Sequence, residues 1–229
     1  MIIAIDGPAG AGKSTTAHAL AGRLGFAYID TGAMYRAMAL AALEKNIDCA
    51  GADCEDAEKI GALARSLPLR FEDNGRRVFI GEREVTDEIR AASVGAAASQ
   101  IAALPQVREA AVAHQRQLAR EGERISGGAV LEGRDIQTVV FPDAQVKIFL
   151  DAASQTRAAR RLEQWRETSE QATSSEAEQD IDERDERDKA RIVSPLCAAP
   201  DATVLATDEL SSEQVLERII EIVESKRNA

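Results

Sequence analysis

Gly7-Pro8-Ala9-Gly10-Ala11-Gly12-Lys13-Ser14-Thr15, near the start of the chain, carries the strongest chemical signal in the sequence. Gly7, Gly12, Lys13 and Ser14 complete the pattern G-x-x-x-x-G-K-[ST], and they do so between an apolar run and a helical one, the setting the pattern needs. Glycines let the backbone take positive φ and approach a phosphate closely. Successive N–H groups then converge on the anion, and the N-terminus of the following helix adds its partial positive charge. In such a loop Lys13 reaches the β- and γ-phosphates of a nucleoside triphosphate, and the Ser14 hydroxyl is a ligand for Mg²⁺.

A phosphate cradle does not specify a reaction, so the remaining cations matter. Arg36 closes Asp30-Thr31-Gly32-Ala33-Met34-Tyr35-Arg36, and a planar guanidinium there suits bidentate binding of a second phosphate. Glu163 to Asp188 holds eleven acids against three arginines. So acidic a stretch is not core; it reads as a solvated helical hairpin. Arg157, Arg160 and Arg161 precede it, while Arg184, Arg187 and Arg191 close it at helical spacing. Folding such a hairpin over a cleft brings several cations to a transferring phosphoryl group, which is how a lid works. Residues around Thr168 to Glu178 are then expected to be mobile without ligand and protected with it. No Asn-Lys-x-Asp guanine-reading motif is present.

The elements that must position these residues follow from apolar periodicity. Met1–Asp6 reads as a buried parallel strand, and Lys13–Leu24 as a helix with Ala17, Leu20, Ala21 and Leu24 on one face. A second strand is expected over Phe26–Ile29, and a helix over Ala37–Leu43 with Arg36 at its start. Asn74-Gly75 marks a hairpin between Leu67–Phe71 and Arg77–Ile80. Ser93–Arg120 is alanine-rich and reads as helices interrupted near Pro105. Ala129–Asp135 is a buried strand ending in charge, the place where α/β sheets put ligand groups. Ala202–Thr207 and Gln214–Val223 read as a last core strand and an amphipathic helix. This alternation of strands and helices reads as an α/β chain whose first strand and helix flank the P-loop.

Composition narrows the function classes. The chain has 229 residues, 45% of them apolar and 29% charged, and it can bury an ordinary core. A net charge of −11 argues against a nucleic-acid polymer as partner. No apolar run approaches the roughly 20 residues of a membrane span, and the first residues lack a basic, cleavable leader; a cytoplasmic location is expected. Cys49, Cys54 and Cys197 form no CxxC pair, and with only His18 and His114 as histidines there is no zinc pattern.

Six blocks in order, namely Gly7 to Thr15, Asp30 to Arg36, Leu131-Glu132-Gly133-Arg134-Asp135, Thr138 to Ala144, Lys147 to Ala152 and Glu183 to Arg191, together resemble the bacterial cytidylate kinases. The resemblance spans nearly the whole chain. It implies an α/β fold of the P-loop NTPase type, three layers with helices on both faces of a central parallel sheet, forming one kinase domain over residues 1–229 with a small antiparallel monophosphate-binding insert at about 61–98 and a helical lid at about 157–191. It implies transfer of the γ-phosphoryl group of ATP, with Mg²⁺, to CMP or dCMP by a monomer. On it rest the assignments of Gly7 to Thr15 to ATP and of Thr31, Arg36, Ser99, Arg108, Arg134, Asp135, Arg184, Asp188 and Arg191 to the monophosphate. Lys13, Arg134, Arg160 and Arg184 are the implied catalytic groups, and Ser14 the metal ligand. Asp135 is implied to accept from the cytosine N4 amine, a donor that uracil lacks. Gln137 stands where the family usually has glycine. From the residues alone, a P-loop kinase for another small acceptor and a nucleotide-binding regulator stay open; arginines at both the acceptor mouth and the lid argue against the regulator.

Overall fold

The computed structural model describes residues 1–50, 54–167, 173–191 and 193–227. Its main sheet has five strands, β1 (Ile2–Asp6), β2 (Ala27–Asp30), β6 (Ala129–Gly133), β7 (Val146–Asp151) and β8 (Thr203–Ala206), in the order β2-β6-β1-β7-β8. β1 and β7 run parallel with Ile3 opposite Val146, and β7 and β8 run parallel with Ile148 opposite Thr203. By compactness the chain forms two units, one of residues 1–26 and 130–229, the other of residues 27–129.

In the first unit all five residues of β1 are buried, as expected of a strand inside a parallel sheet. Helix α1 (Lys13–Leu24) buries Ala17, Leu20 and Ala21 and packs against α8 (Ser212–Arg227), which also lies on β7. Gly25 at φ 68° ends α1 in the left-handed region. The acidic segment forms α6 (Ser154–Glu167) and α7 (Ser174–Ala190), packed on each other. A capping box starts α7: Glu176 N–H donates to Thr173 Oγ1, and Thr173 N–H donates to Glu176 Oε2. Thr168 to Ala172, where much of the expected mobile segment falls, lie outside the described residues.

The second unit is mostly helical. Here α2 (Thr31–Glu44), α3 (Cys54–Ser66), α4 (Ala92–Ile101) and α5 (Pro105–Ser126) share an apolar core containing Met38, Ile60, Val94, Ile101 and Val107. The hairpin expected at Asn74-Gly75 is present as β3 (Leu69–Glu72) and β4 (Arg77–Ile80), and Asp73, Asn74 and Gly75 take φ of 48°, 50° and 82°. A third antiparallel strand, β5 (Arg83–Glu84), extends it. One expectation is corrected: α2 begins at Thr31, five residues before Arg36, because the Asp30 carboxylate accepts the Ala33 N–H at 2.7 Å and caps the helix there. Arg36 lies in its second turn, ion-paired to Asp30 at 3.0 Å. Pro105 is the first residue of α5, where its missing N–H costs nothing.

Candidate active site

The P-loop sits between β1 and α1, and glycine is required in it for steric reasons that the coordinates make explicit. A Cβ on Gly7 (φ 151°) would lie 2.1 Å from the Leu150 carbonyl oxygen, and one on Gly10 (φ 75°) 2.9 Å from the Cβ and carbonyl oxygen of Arg157. The outer side of the loop is held by cations and a hydroxyl. Arg157 Nη1 donates to Ala9 O at 3.0 Å, Arg160 Nη1 to Gly10 O at 3.4 Å, and Thr207 Oγ1 to Ala11 O at 3.5 Å. In a trans peptide the carbonyl and the next N–H point opposite ways. Tying these carbonyls outward therefore turns the amides of Gly10 and Gly12 toward the inside of the loop.

Of the two side chains that follow the last loop glycine, Lys13 is buried and Ser14 exposed. Lys13 Nζ donates to Pro8 O at 2.7 Å, and the Ser14 hydroxyl donates to Glu132 Oε2 at 2.9 Å. Burial, and Arg134 after it, lower Lys13 to about 7 against the opposing pull of Glu132, Asp188 and Asp6. A phosphate beside the ammonium would reverse that shift, because an opposite charge favours the charged form. Ser14 and Glu132 offer hard oxygen atoms on β1-side and β6 elements, the donor chemistry that Mg²⁺ takes. Among the described residues no cluster of three or more His, Cys, Asp or Glu side chains is arranged to hold a metal.

Asp6, fully buried at the end of β1, accepts from the backbone N–H groups of Ile136 (3.1 Å) and Gln137 (2.9 Å). It thereby fixes the helical turn Ile136–Val140 that follows Arg134 and Asp135. Burial outweighs these two bonds and raises Asp6 to about 6, with Asp135 adding to the rise. Gln137 fits without positive φ. Its buried side chain accepts the Ala199 N–H at 3.1 Å and donates to Ile148 O at 3.5 Å, so it bridges the turn, β7 and the chain that follows α7.

Four of the expected monophosphate residues meet in this unit. Asp188 of α7 pairs with Arg134 Nε at 2.7 Å and with Arg191 Nη2 at 2.5 Å, and all three are largely buried. Burial works against the charge on Asp188, but Arg134 and Arg191 outweigh it and hold the carboxyl below its ordinary value. Burial likewise works to lower Arg134, yet the Asp188 pair leaves it raised. Arg184 is drawn down to about 10 by burial and then by Arg134, which places it electrostatically beside that cluster and still protonated at neutral pH. Arg160 is placed differently. Besides Gly10 O, its guanidinium donates to Thr207 Oγ1 at 3.1 Å and Thr207 O at 2.8 Å.

Thr31, Arg36, Ser99 and Arg108 belong to the second unit. Thr31 is the buried first residue of α2. Ser99 is on α4 with its Oγ buried and unbonded among the described residues, and Arg36 Nε is buried and unbonded in the same way. Arg108 of α5 is buried, donates to Ala102 O at 3.2 Å and stacks on Tyr35 at 5.9 Å. Buried polar atoms rarely go unpaired in a folded protein, and Ser99 Oγ and Arg36 Nε are two such exceptions.

Sequence reasoning did not single out Asp6, Glu132 or Asp185. The first two had a signal, an acid ending or interrupting a buried apolar strand, whereas Asp185 looked like a member of a solvated charge pattern. Arg157 was expected among the cations closing over the cleft; the structure instead turns it to Ala9 O and Asp185.

The α/β sheet, its P-loop and the buried arginine cluster define a P-loop phosphoryl-transfer protein. The cytidylate kinase family model matches residues 3–225, and the chain belongs to that family. It is 48% identical to the cytidylate kinase of Exiguobacterium sibiricum over 97% of this chain and 96% of that one. It is 46% identical to the cytidylate kinase of Desulfitobacterium hafniense over 98% and 93%. In fold it is similar to an uncharacterised protein from Eubacterium ventriosum, with a TM-score of 0.51 at 13% identity, covering 98% of this chain and 99% of that one.

Proposed function

We propose that the protein transfers the γ-phosphoryl group of ATP to the 5′-phosphate of CMP or dCMP, giving ADP and CDP or dCDP. One observation carries the reading: a P-loop with a buried lysine lies in the same compact unit as Arg134 and Arg191, both paired to Asp188, with the charge of Arg184 beside Arg134. The acceptor is already an anion, so no general base is required, and the work is positioning and charge neutralisation. An oxygen of the acceptor phosphate attacks the γ-phosphorus, and the bond from that phosphorus to the β,γ-bridging oxygen breaks. Lys13 and the loop amides hold the β- and γ-phosphates. Arg134 and Arg191 exchange Asp188 for the phosphoryl oxygens, Arg184 turns to them from Asp180, and Asp188 is released toward the ribose.

Mg²⁺ arriving with ATP would be held by Ser14 Oγ, with Glu132 behind it, and would neutralise charge on the β- and γ-phosphates. Arg160 supports the loop from outside. The base contacts are assigned on the resemblance: Asp135 to the cytosine amine, Ser99 and Arg108 to the ring edge, Thr31 and Arg36 to the monophosphate end. Cytoplasmic work on free nucleotides fits these assignments, and no helix among the described residues is long and apolar enough to cross a membrane.

The test is ADP release with CMP, dCMP, UMP or no acceptor. CMP and dCMP should turn over, with UMP lower in kcat/KM by about tenfold or more, since a lost hydrogen bond to a charged group costs about that much. Equal ADP release without acceptor, or preference for another acceptor, refutes the proposal.

A further inference from the structure

Arg157 is buried in the first turn of α6 and makes three directed contacts. Nε donates to Ala152 O at 2.9 Å, at the junction of β7 and α6; Nη1 donates to Ala9 O in the P-loop at 3.0 Å; and Nη1 also meets Asp185 Oδ2 of α7 at 2.7 Å. Both side chains of the pair are more than nine-tenths buried. The backbone of α6 at Arg157 is the surface that Gly10 approaches too closely for any Cβ. Asp185 Oδ1 is also buried and has no hydrogen-bond partner among the described residues. The next residue back along α7 is Arg184, whose charge sits beside Arg134.

A solvated charge pair does not have this form. A lysine could reach one of these partners as a point charge, whereas the fork of a guanidinium can hold a loop carbonyl and a carboxylate in fixed relative directions. Turning Ala9 O outward sets the plane of the Ala9–Gly10 peptide and so the direction of the Gly10 amide. Holding Asp185 sets the rotation and height of α7 one residue from Arg184. The same side chain therefore adjusts both the donor-phosphate cradle and the arginines above it.

We propose that Arg157 and Asp185 are a positioning pair for phosphoryl transfer, through which the conformation of the P-loop at Ala9–Gly10 fixes the register of α7 and the aim of Arg184. Neither residue touches the reacting atoms. Arg157 acts through the Gly10 amide and Asp185 through Arg184. The proposal rests on the kinase reading above. For that reason its test includes direct ATP binding, which reads the P-loop whatever the acceptor is.

The experiment compares the full-length wild type with Arg157→Met, Asp185→Asn, the double variant and Arg157→Lys. It measures thermal unfolding, ATP binding by calorimetry without acceptor, and kcat and KM for ATP and CMP. Each of the first two single changes leaves one buried charge unpaired and will itself destabilise the protein, whereas the double variant buries no charge at this site. Expected is a double variant that recovers most of the unfolding temperature but keeps ATP affinity about tenfold or more weaker and kcat reduced. That factor is the size expected for losing a charged hydrogen bond to Ala9 O. Asp185→Asn should keep ATP affinity near wild type, because Arg157 still holds Ala9, and lose mainly kcat. Arg157→Lys should fold and bind ATP more weakly than wild type. Recovery of activity together with stability in the double variant would make the pair structural and overturn the proposal. So would wild-type ATP affinity in Arg157→Lys or Arg157→Met. A wild type that binds ATP but does not phosphorylate CMP would fail the kinase reading instead, and the binding comparison would still decide the P-loop half.

Discussion

Asp6 offers the sharpest test of the energetics beneath the site. Its carboxyl is fully buried and accepts two backbone N–H groups at 3.1 and 2.9 Å, yet burial wins and its pKa rises from 3.8 to about 6. The folded state thus binds a proton more tightly than the unfolded chain does. Stability from this group is greatest below pH about 4 and is lost as pH climbs through about 6. The rise corresponds to about 3 kcal/mol at neutral pH. Asp6→Asn mimics the protonated group and removes the titration. Denaturant unfolding of both proteins from pH 4 to pH 6.5 isolates the effect, because titrations that do not feel Asp6 cancel in the difference and Lys13, which does, titrates at about 7. The advantage of wild type over Asp6→Asn should fall by about 2 kcal/mol from pH 4 to pH 6 and flatten above that. A difference that is flat, or that rises with pH, would mean that the Ile136 and Gln137 amides stabilise the carboxylate more than burial penalises it, and the reasoning would be wrong.

Three further outcomes are expected. Lys13→Ala should lower kcat/KM by about a hundredfold or more, since it removes a cation from the transferring phosphates, whereas His114→Ala should change kcat less than twofold in this base-free mechanism; a collapse in folded His114→Ala, read in the ADP-release assay, contradicts it. Gln137→Gly orphans the buried Ala199 N–H and adds backbone freedom, costing about 2–4 kcal/mol and lowering Tm by about 5–15 °C in calorimetry, with kcat nearly unchanged because the Gln137 N–H still reaches Asp6. Asp135→Ala should lose about 1–3 kcal/mol of discrimination between CMP and UMP; equal loss on both bases would assign Asp135 to orienting its neighbours instead.

The parts of the fold legible in the sequence were those where backbone geometry dictates residue type. The P-loop glycines, the Asn74-Gly75 turn and Pro105 at a helix start all appear where the residue is nearly forced. β5 was not legible, because Arg83 and Glu84 are both exposed and two residues show no alternation. The start of α2 was misplaced because apolar periodicity begins at Ala37, while the helix is set by the Asp30 cap. In the site, charge patterning gathered the arginines but could not sort them. Arg157 and Arg160 turn to P-loop carbonyls whereas Arg134 and Arg191 turn to Asp188, and only packing distinguishes identical side chains. Gln137 was visible as a departure from the family, but its partners at 148 and 199 are remote in sequence.

With Arg134 and Arg191 receiving phosphate as proposed, Asp188 becomes a tethered competitor. Because it is carried on α7 beside Arg134 and Arg191, it competes with any incoming phosphate at an effective concentration that no change in solution can dilute. The arginines therefore never face the low-dielectric interior as an uncompensated positive cluster, which would otherwise destabilise the fold. Part of their attraction is withheld from substrate and product alike, so the diphosphate product leaves a site that re-neutralises itself. Tight binding is exchanged for turnover, and the exchange is written into a single carboxylate three residues from one of its partners.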